Sequence, residues 1–268
     1  MRTFDEIIAA ARRTGPRRLA VAGPPNEELA DALARARGQG IAESDLFDTA
    51  PDAVAAVRAG QADALMKGSV DTATFMQAVL DRDAGLRSGS LVSHVAVVEA
   101  LGRLILITDG GIVLNPTLEE KVQIIANAVA VAAGLGIDAP KVAVLAAVER
   151  ENPKMPETVD AAALARMDLP GCAVQGPLAV DNAVSVEAAR AKGIAGPVAG
   201  RADILLAPSV LVGNIFAKGI MYFAGGRFGG VVAGTTHPVM FLSRSDTAAT
   251  KLDTIALGMA LSKGEAHG

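Results

Sequence analysis

The sequence has no tryptophan, one tyrosine (Tyr222) and only 3% aromatic residues in 268. Aromatic stacking platforms for bases or sugars are therefore not expected. The 51% hydrophobic content must build its core from Ala, Val, Leu and Ile. Charge of one sign is also scarce. The formal net charge is −4 and no long basic run exists, so nucleic acid is not an expected partner. A local basic pocket on such a chain still attracts anions. The lone Cys172 excludes an intramolecular disulfide and reads as a small core residue in a strand. His94, His237 and His267 share no ligand spacing with one another or with Cys172, so no metal site is expected. His94 opens an apolar strand and reads as a hydrogen-bonded structural residue.

Long apolar runs are missing too. None approaches the ~20 residues that cross a bilayer. Residues 1–6 lack the apolar segment of a signal peptide. The expectation is a soluble cytoplasmic protein with no membrane partner. No Walker-type glycine loop or nucleophile elbow is present, and no GxGxxG follows a strand to open a helix. Classical nicotinamide binding is thereby unsupported.

What the chain does have is alternation. Apolar residues at helical spacing (Phe4, Ile7, Ile8, Ala11) give way to a short strand at 18–22 and a helix at 27–37. Thr49 reads as the N-cap of a helix over 51–58, and a strand at 62–66 precedes a helix at 70–80. Strands at 93–99 and 103–108, joined through Gly102, predict a hairpin, the one antiparallel element expected. Thr117-Leu118-Glu119-Glu120 matches a capping box and opens a helix ending near Gly134 or Gly136. Further strands are expected at 141–148, 172–175 (broken by Gly176-Pro177), 202–207, 230–233 and 239–242, with helices at 156–167, 214–223 and 247–261. Such alternation predicts an α/β fold of mostly parallel sheets with helices on both faces.

Several strands end in polar or glycine clusters, which parallel strands would bring to one rim, the place where open α/β sheets bind ligands. The most informative is the last. Val239-Met240-Phe241-Leu242 ends abruptly in Ser243-Arg244-Ser245-Asp246, and a guanidinium there suits phosphate or carboxylate. Others are Lys67-Gly68-Ser69, Thr108-Asp109-Gly110-Gly111, Glu149-Arg150-Glu151-Asn152-Pro153-Lys154, Gly176-Pro177 with Asp181-Asn182, and Gly213-Asn214-Ile215. Gly110-Gly111 is read with equal ease as a plain turn. Gly213-Asn214 is read as a helix entry, either capped by its own side chains or open to cradle a phosphate with Lys218 one turn on.

Taken in order and with near-constant spacing from about residue 54 to 261, these segments resemble the phosphate acetyl/butyryl transferase family, its butyryltransferase branch most closely. Gly85-Leu86-Arg87-Ser88-Gly89 with Ser93-His94-Val95, and Asn152-Pro153-Lys154-Met155-Pro156, belong to the same set. The resemblance implies a two-domain fold like that of isocitrate and isopropylmalate dehydrogenases with an interdomain cleft. The first domain would be 1–101 plus 238–268 and the second 102–237. It implies reversible acyl transfer between CoA and inorganic phosphate, and a homodimer or larger homo-oligomer. CoA is then a substrate, and no cofactor is bound tightly. Ser243, Arg244 and Asp246 are the implied catalytic residues; Lys67, Arg87, Asn214, Lys218 and Asp181 are implied at phosphate or CoA. Two departures stand out. The aspartate that some acetyltransferases of the family place seven residues after the serine is here Thr250. The stretch 38–48 is too short for the extra strand and helix that members usually carry there. A phosphate acetyltransferase and a non-catalytic acyl-CoA-binding homologue remain as alternatives. A metal-dependent dehydrogenase on a similar fold would need clustered Asp or His ligands, which the sequence does not offer.

Overall fold

The alternation in the sequence becomes an alternation of helices and strands. The computed structural model describes residues 1–262. In chain order come α1 (Phe4–Arg13), β1 (Arg17–Ala22), α2 (Glu27–Gly38), β2 (Ala42–Phe47), α3 (Ala50–Arg58), β3 (Ala64–Lys67) and α4 (Thr72–Leu80). Then follow β4 (Ser93–Ala100), β5 (Arg103–Thr108), α5 (Leu118–Gly134), β6 (Lys141–Leu145), α6 (Pro156–Ala165), β7 (Ala173–Leu178), α7 (Val180–Val184), α8 (Val186–Ala191), β8 (Ile204–Leu206) and α9 (Val210–Ala224). The chain closes with β9 (Arg227–Ala233), β10 (Val239–Met240) and α10 (Ala248–Leu261). Helix starts follow the capping signals. Thr49 accepts from the Asp52 N–H, and Thr117 and Glu120 form the reciprocal capping box.

Two compact units result, one made of Met1–Val92 with the chain from Arg227 onward, the other of Ser93–Gly226. The sequence reading put these changes at 102 and 238. They fall earlier because β4 stays with its hairpin partner β5, and because β9 packs with α10 and pairs with β10.

In the first unit the strand order is β2-β1-β3-β10-β9, with the first four parallel and β9 antiparallel to β10. The β9–β10 pair is thus a second antiparallel contact that the sequence did not announce. Helix α10 packs with α1 and α2, whereas α3 packs with α4 and against β1, which covers both faces of the sheet. The stretch read as too short for a strand and a helix holds the strand β2 and no helix between it and α3. Most of β2 is exposed or half-buried, as an edge strand should be. In the second unit the order is β4-β5-β8-β6-β7, parallel except for the β4–β5 hairpin.

Two further expectations are corrected. β7 continues through Gly176-Pro177, whose peptide bond is cis, and only its register with β6 shifts there. Its place at the end of the strand order tolerates a proline, which has no N–H to give to a neighbour. Helix α9 begins at Val210, not at Asn214. Cys172 lies half-buried just before β7 and is not enclosed in the core. His267 lies outside the described residues.

Candidate active site

In the first unit β1, β3 and β10 run parallel, so their carboxyl ends share one rim. Three segments meet there because glycine permits it. A Cβ on Gly68 would lie 2.3 Å from the Gly23 carbonyl oxygen, so only glycine lets the end of β3 press against the end of β1. The Gly68 N–H donates to the Ala22 carbonyl at 2.8 Å and the Ser69 N–H to that of Pro24 at 3.0 Å. Lys67 is thereby carried inward. It is 8% exposed, and its Nζ donates to the carbonyls of Gly68 (3.2 Å) and Val70 (3.0 Å).

The loop after β10 supplies the rest. Ser243 and Arg244 are exposed, while Asp246 is buried. The Ser243 N–H donates to Asp246 Oδ2 at 2.8 Å, and the Asp246 N–H returns to the Ser243 carbonyl at 3.2 Å. Ser243 Oγ lies 2.9 Å from Ser245 Oγ. The buried Lys251 of α10 donates its Nζ to the Asp246 carbonyl. Glu28 of α2 accepts the Ala248 N–H at 2.7 Å, fixing the first turn of α10. Thr250, where an acid was looked for, lies in that turn with its hydroxyl 3.2 Å from that of Thr247.

A pocket of about 70 Å³ opens between these segments, with Asn26, Lys67, Ser69, Ser243, Arg244 and Lys251 as its polar lining. Drug-sized ligands occupy roughly 300–1,000 Å³, so this space suits one small anion. Three of its side chains are basic and none is a carboxylate. Burial pushes the Lys67 amine below its ordinary pKa, and Arg244 and Lys251 push the same way against Asp71. Burial lowers Lys251 too, partly opposed by Asp246 and Glu28.

Of the expected site residues, Lys67, Ser243 and Arg244 line this pocket. Asp246 stands behind it as a brace for the loop. Arg87 is in the same unit, exposed, in a segment clipped to 234–236 by Ser88 N–H to Gly234 O (3.1 Å) and Thr236 N–H to Leu86 O (2.8 Å), and does not line the pocket. Lys251 and Asn26 were missed, and Ser69 stood in the Lys67-Gly68-Ser69 cluster without a role. Lys251 had a signal: with Asp253 it is one of only two charged residues in an otherwise apolar helix.

The second unit carries the other three. Asn214 is one turn inside α9 and gives its Nδ2 to the Gly110 carbonyl at 2.9 Å, so it does not open a helix N-terminus to phosphate. A Cβ on Gly213 would lie 2.2 Å from the Asp109 carbonyl oxygen; Gly110-Gly111 and Gly213-Asn214 are therefore two halves of one close backbone contact. Lys218 is exposed one turn further on. Asp181 is exposed and pairs with Lys192 (3.1 Å), which also pairs with Glu149 (2.8 Å); the Lys192 ammonium holds both carboxyls below their ordinary range. His94, buried at the start of β4, donates its N–H to Asp109 Oδ2 at 3.0 Å. Among the described residues no three His, Cys, Asp or Glu side chains gather as they would around a metal ion.

A phosphate butyryltransferase of Clostridium beijerinckii is 40% identical over 96% of this chain and 96% of its own. A phosphate acetyltransferase of Thermotoga maritima is 38% identical over 95% of this chain and 98% of its own. The first alignment runs over 291 positions against a chain of 268, so that relative carries residues this chain lacks. The crystal structure of a branched-chain phosphotransacylase from Enterococcus faecalis superposes with a TM-score of 0.84 at 32% identity, covering 91% of this chain and 98% of that one. The family model described as phosphate acetyl/butaryl transferase matches residues 23–259, nearly the whole length, and this chain belongs to that family.

Proposed function

We propose that this protein transfers a short acyl group, butyryl-like in size, reversibly between CoA and inorganic phosphate. The observation that carries the reading is the anion-sized pocket at the end of β10, where Ser243, Arg244 and Lys67 converge in a chain of this family. Arg244 holds the phosphate and stabilises the charge that develops as it leaves. In this reading Ser243 Oγ donates to the attacking sulfur or to the developing oxyanion. Asp246 keeps the loop in shape by holding the Ser243 N–H. Arg87, exposed in the unit that holds the pocket, is proposed to meet the phosphate groups of CoA. Direct transfer between two bound substrates needs no acyl-enzyme and no tightly bound cofactor.

The test is a series of acetyl-, propionyl-, butyryl- and isobutyryl-CoA, each with and without phosphate. Phosphate-dependent release of CoA thiol, fastest with a four-carbon acyl group, is expected. No release above the phosphate-free blank with any of them overturns the enzyme reading and leaves a CoA-binding homologue. Fastest turnover of acetyl-CoA favours the acetyltransferase reading, which the likeness to the Thermotoga maritima enzyme supports.

A homodimer or larger homo-oligomer belongs to the same proposal. Support comes from α9, which is apolar yet leaves Leu211 65%, Ile215 63% and Phe223 94% exposed. Light scattering after gel filtration tests it; a monomer at micromolar concentration overturns it. The proposed compartment is the cytoplasm. Among the described residues no helix is long and apolar enough to cross a membrane.

A further inference from the structure

Acyl transfer to CoA needs somewhere for the thiol proton to go, because a thiol with a pKa near ~8.5 is mostly protonated at neutral pH. The lining of the rim pocket restricts the choice. It holds no carboxylate and no imidazole. Arg244 carries a guanidinium, a hydrogen-bond donor with no acceptor atom. Asp246 Oδ2 faces into its own loop and receives the Ser243 N–H. Two amines remain, Lys251 and Lys67.

They sit in different company. Lys251 is anchored to the Asp246 carbonyl, and Asp246 and Glu28 favour its charged form. Lys67 faces the guanidinium of Arg244 from the β10–α10 loop and the ammonium of Lys251 from α10, with only Asp71 at the start of α4 opposing them. Its amine nitrogen already gives hydrogens to two backbone carbonyls, those of Gly68 and Val70. In its neutral form the amine has two N–H bonds and one lone pair; with both N–H bonds on these carbonyls, that form has its lone pair left for the pocket.

We propose that Lys67 is the proton-transfer residue of the reaction. As the CoA sulfur bonds to the acyl carbon, its proton passes to the Lys67 amine. As the bond from the acyl carbon to the phosphate oxygen breaks, the electron pair leaves on that oxygen. The Lys67 ammonium then returns the proton to the departing phosphate, so CoA thiol and acyl phosphate give acyl-CoA and hydrogen phosphate in balance. The reverse reaction uses the same residue in the opposite order. Burial and the two neighbouring cations favour the neutral amine that the first step requires.

The inference rests on the acyltransferase reading, and the experiment separates the two. Wild type, Lys67→Arg, Lys67→Met and Lys67→Ala are assayed from acyl phosphate and CoA, with folding checked by circular dichroism. The expected result is a kcat loss of about 10²-fold or more in all three variants, including the charge-preserving arginine. Added methylamine, but not guanidinium, restores part of the Lys67→Ala rate. The alkaline rise in the wild-type pH profile disappears in Lys67→Met. If Lys67→Arg stays within about tenfold of wild type, below the range for a lost acid–base group, the residue supplies only charge and the proposal fails. It fails equally if the Lys67→Met loss lies wholly in KM; that variant decides the matter should the arginine not fold. An inactive wild type overturns the acyltransferase reading instead.

Discussion

At the end of β5, Thr108 and Asp109 follow an apolar run; at the end of β10, Ser243, Arg244 and Asp246 do the same. The two strand ends then diverge. The Asp109 carboxylate accepts four backbone N–H groups, those of His94 (3.0 Å), Gly111 (2.6 Å), Ile112 (2.9 Å) and Val113 (3.1 Å), and is 2% exposed. Gly110-Gly111 makes this possible. The turn passes so close to His94 that a Cβ on Gly111 would lie 3.1 Å from its ring. The β10 end has Arg244 and Ser245 where the β5 end has glycines. Its turn stays open, with Asp246 bracing the Ser243 N–H while Ser243 and Arg244 themselves are exposed. A strand-end carboxylate that gathers the N–H groups of a glycine turn becomes part of the scaffold. One that braces a loop of larger residues leaves exposed side chains beside it to do the chemistry.

Asp109→Ala tests the scaffold side of the contrast. Orphaning the buried His94 N–H and three part-buried N–H groups, at about 1 kcal/mol each, should cost about 4 kcal/mol of stability, read as a lower urea midpoint. A loss under about 1 kcal/mol would erase the distinction between the two ends. Arg244→Ala tests the working side. Turnover should fall roughly 10²–10³-fold, with the thermal midpoint unchanged because the side chain is exposed. Asp246→Asn sharpens the comparison further. An amide oxygen still accepts the Ser243 N–H, so activity should stay within about threefold of wild type. A loss of about 10² or more would make Asp246 the base. The smallest effect concerns His94. Burial lowers its pKa below 6.5 against the opposing pull of Asp109. The unfolded chain therefore takes the proton first as pH falls. This group's stabilisation is complete above the unfolded pKa and declines below it. His94→Gln should flatten the fall in urea midpoint between about pH 7.5 and about pH 5.5.

Where a signal was local, the sequence carried it. The caps Thr49 and Thr117 and the Gly102 hairpin turn all appear where the residues place them. What failed depended on neighbours distant in sequence. Gly213 looked like a helix entry, yet its glycine serves the approach of α9 to Asp109, and the helix starts at Val210. Gly176-Pro177 looked like a break, but a Cβ on Gly176 would meet that of Val144 at 2.8 Å, so the glycine answers a packing demand inside β7. β2 escaped notice because an edge strand shows little apolar alternation. Of the site, Ser243, Arg244 and Lys67 were readable as polar groups ending apolar runs. Lys251 showed only as one of two charges in a largely buried helix, a signal without a meaning until its target, the Asp246 carbonyl, is seen.

The place of β10 between β3 and β9 bears on how the molecule is made. Residues 1–92 leave the ribosome well before that strand exists, and must wait for the whole of Ser93–Gly226 to be synthesised. The continuous second unit can fold during this interval, since domains generally fold as units during synthesis. The first unit is left with β3 as an open edge of its sheet until β9 and Val239–Met240 arrive, and the pairing of β10 with β3 is correspondingly non-local and slow to close. The loop bearing Ser243 and Arg244 follows directly behind. A chain cut short before residue 239 would therefore lack both the strand that completes the sheet and the residues proposed to act, so incomplete synthesis yields an unfinished fold in place of a partly active one.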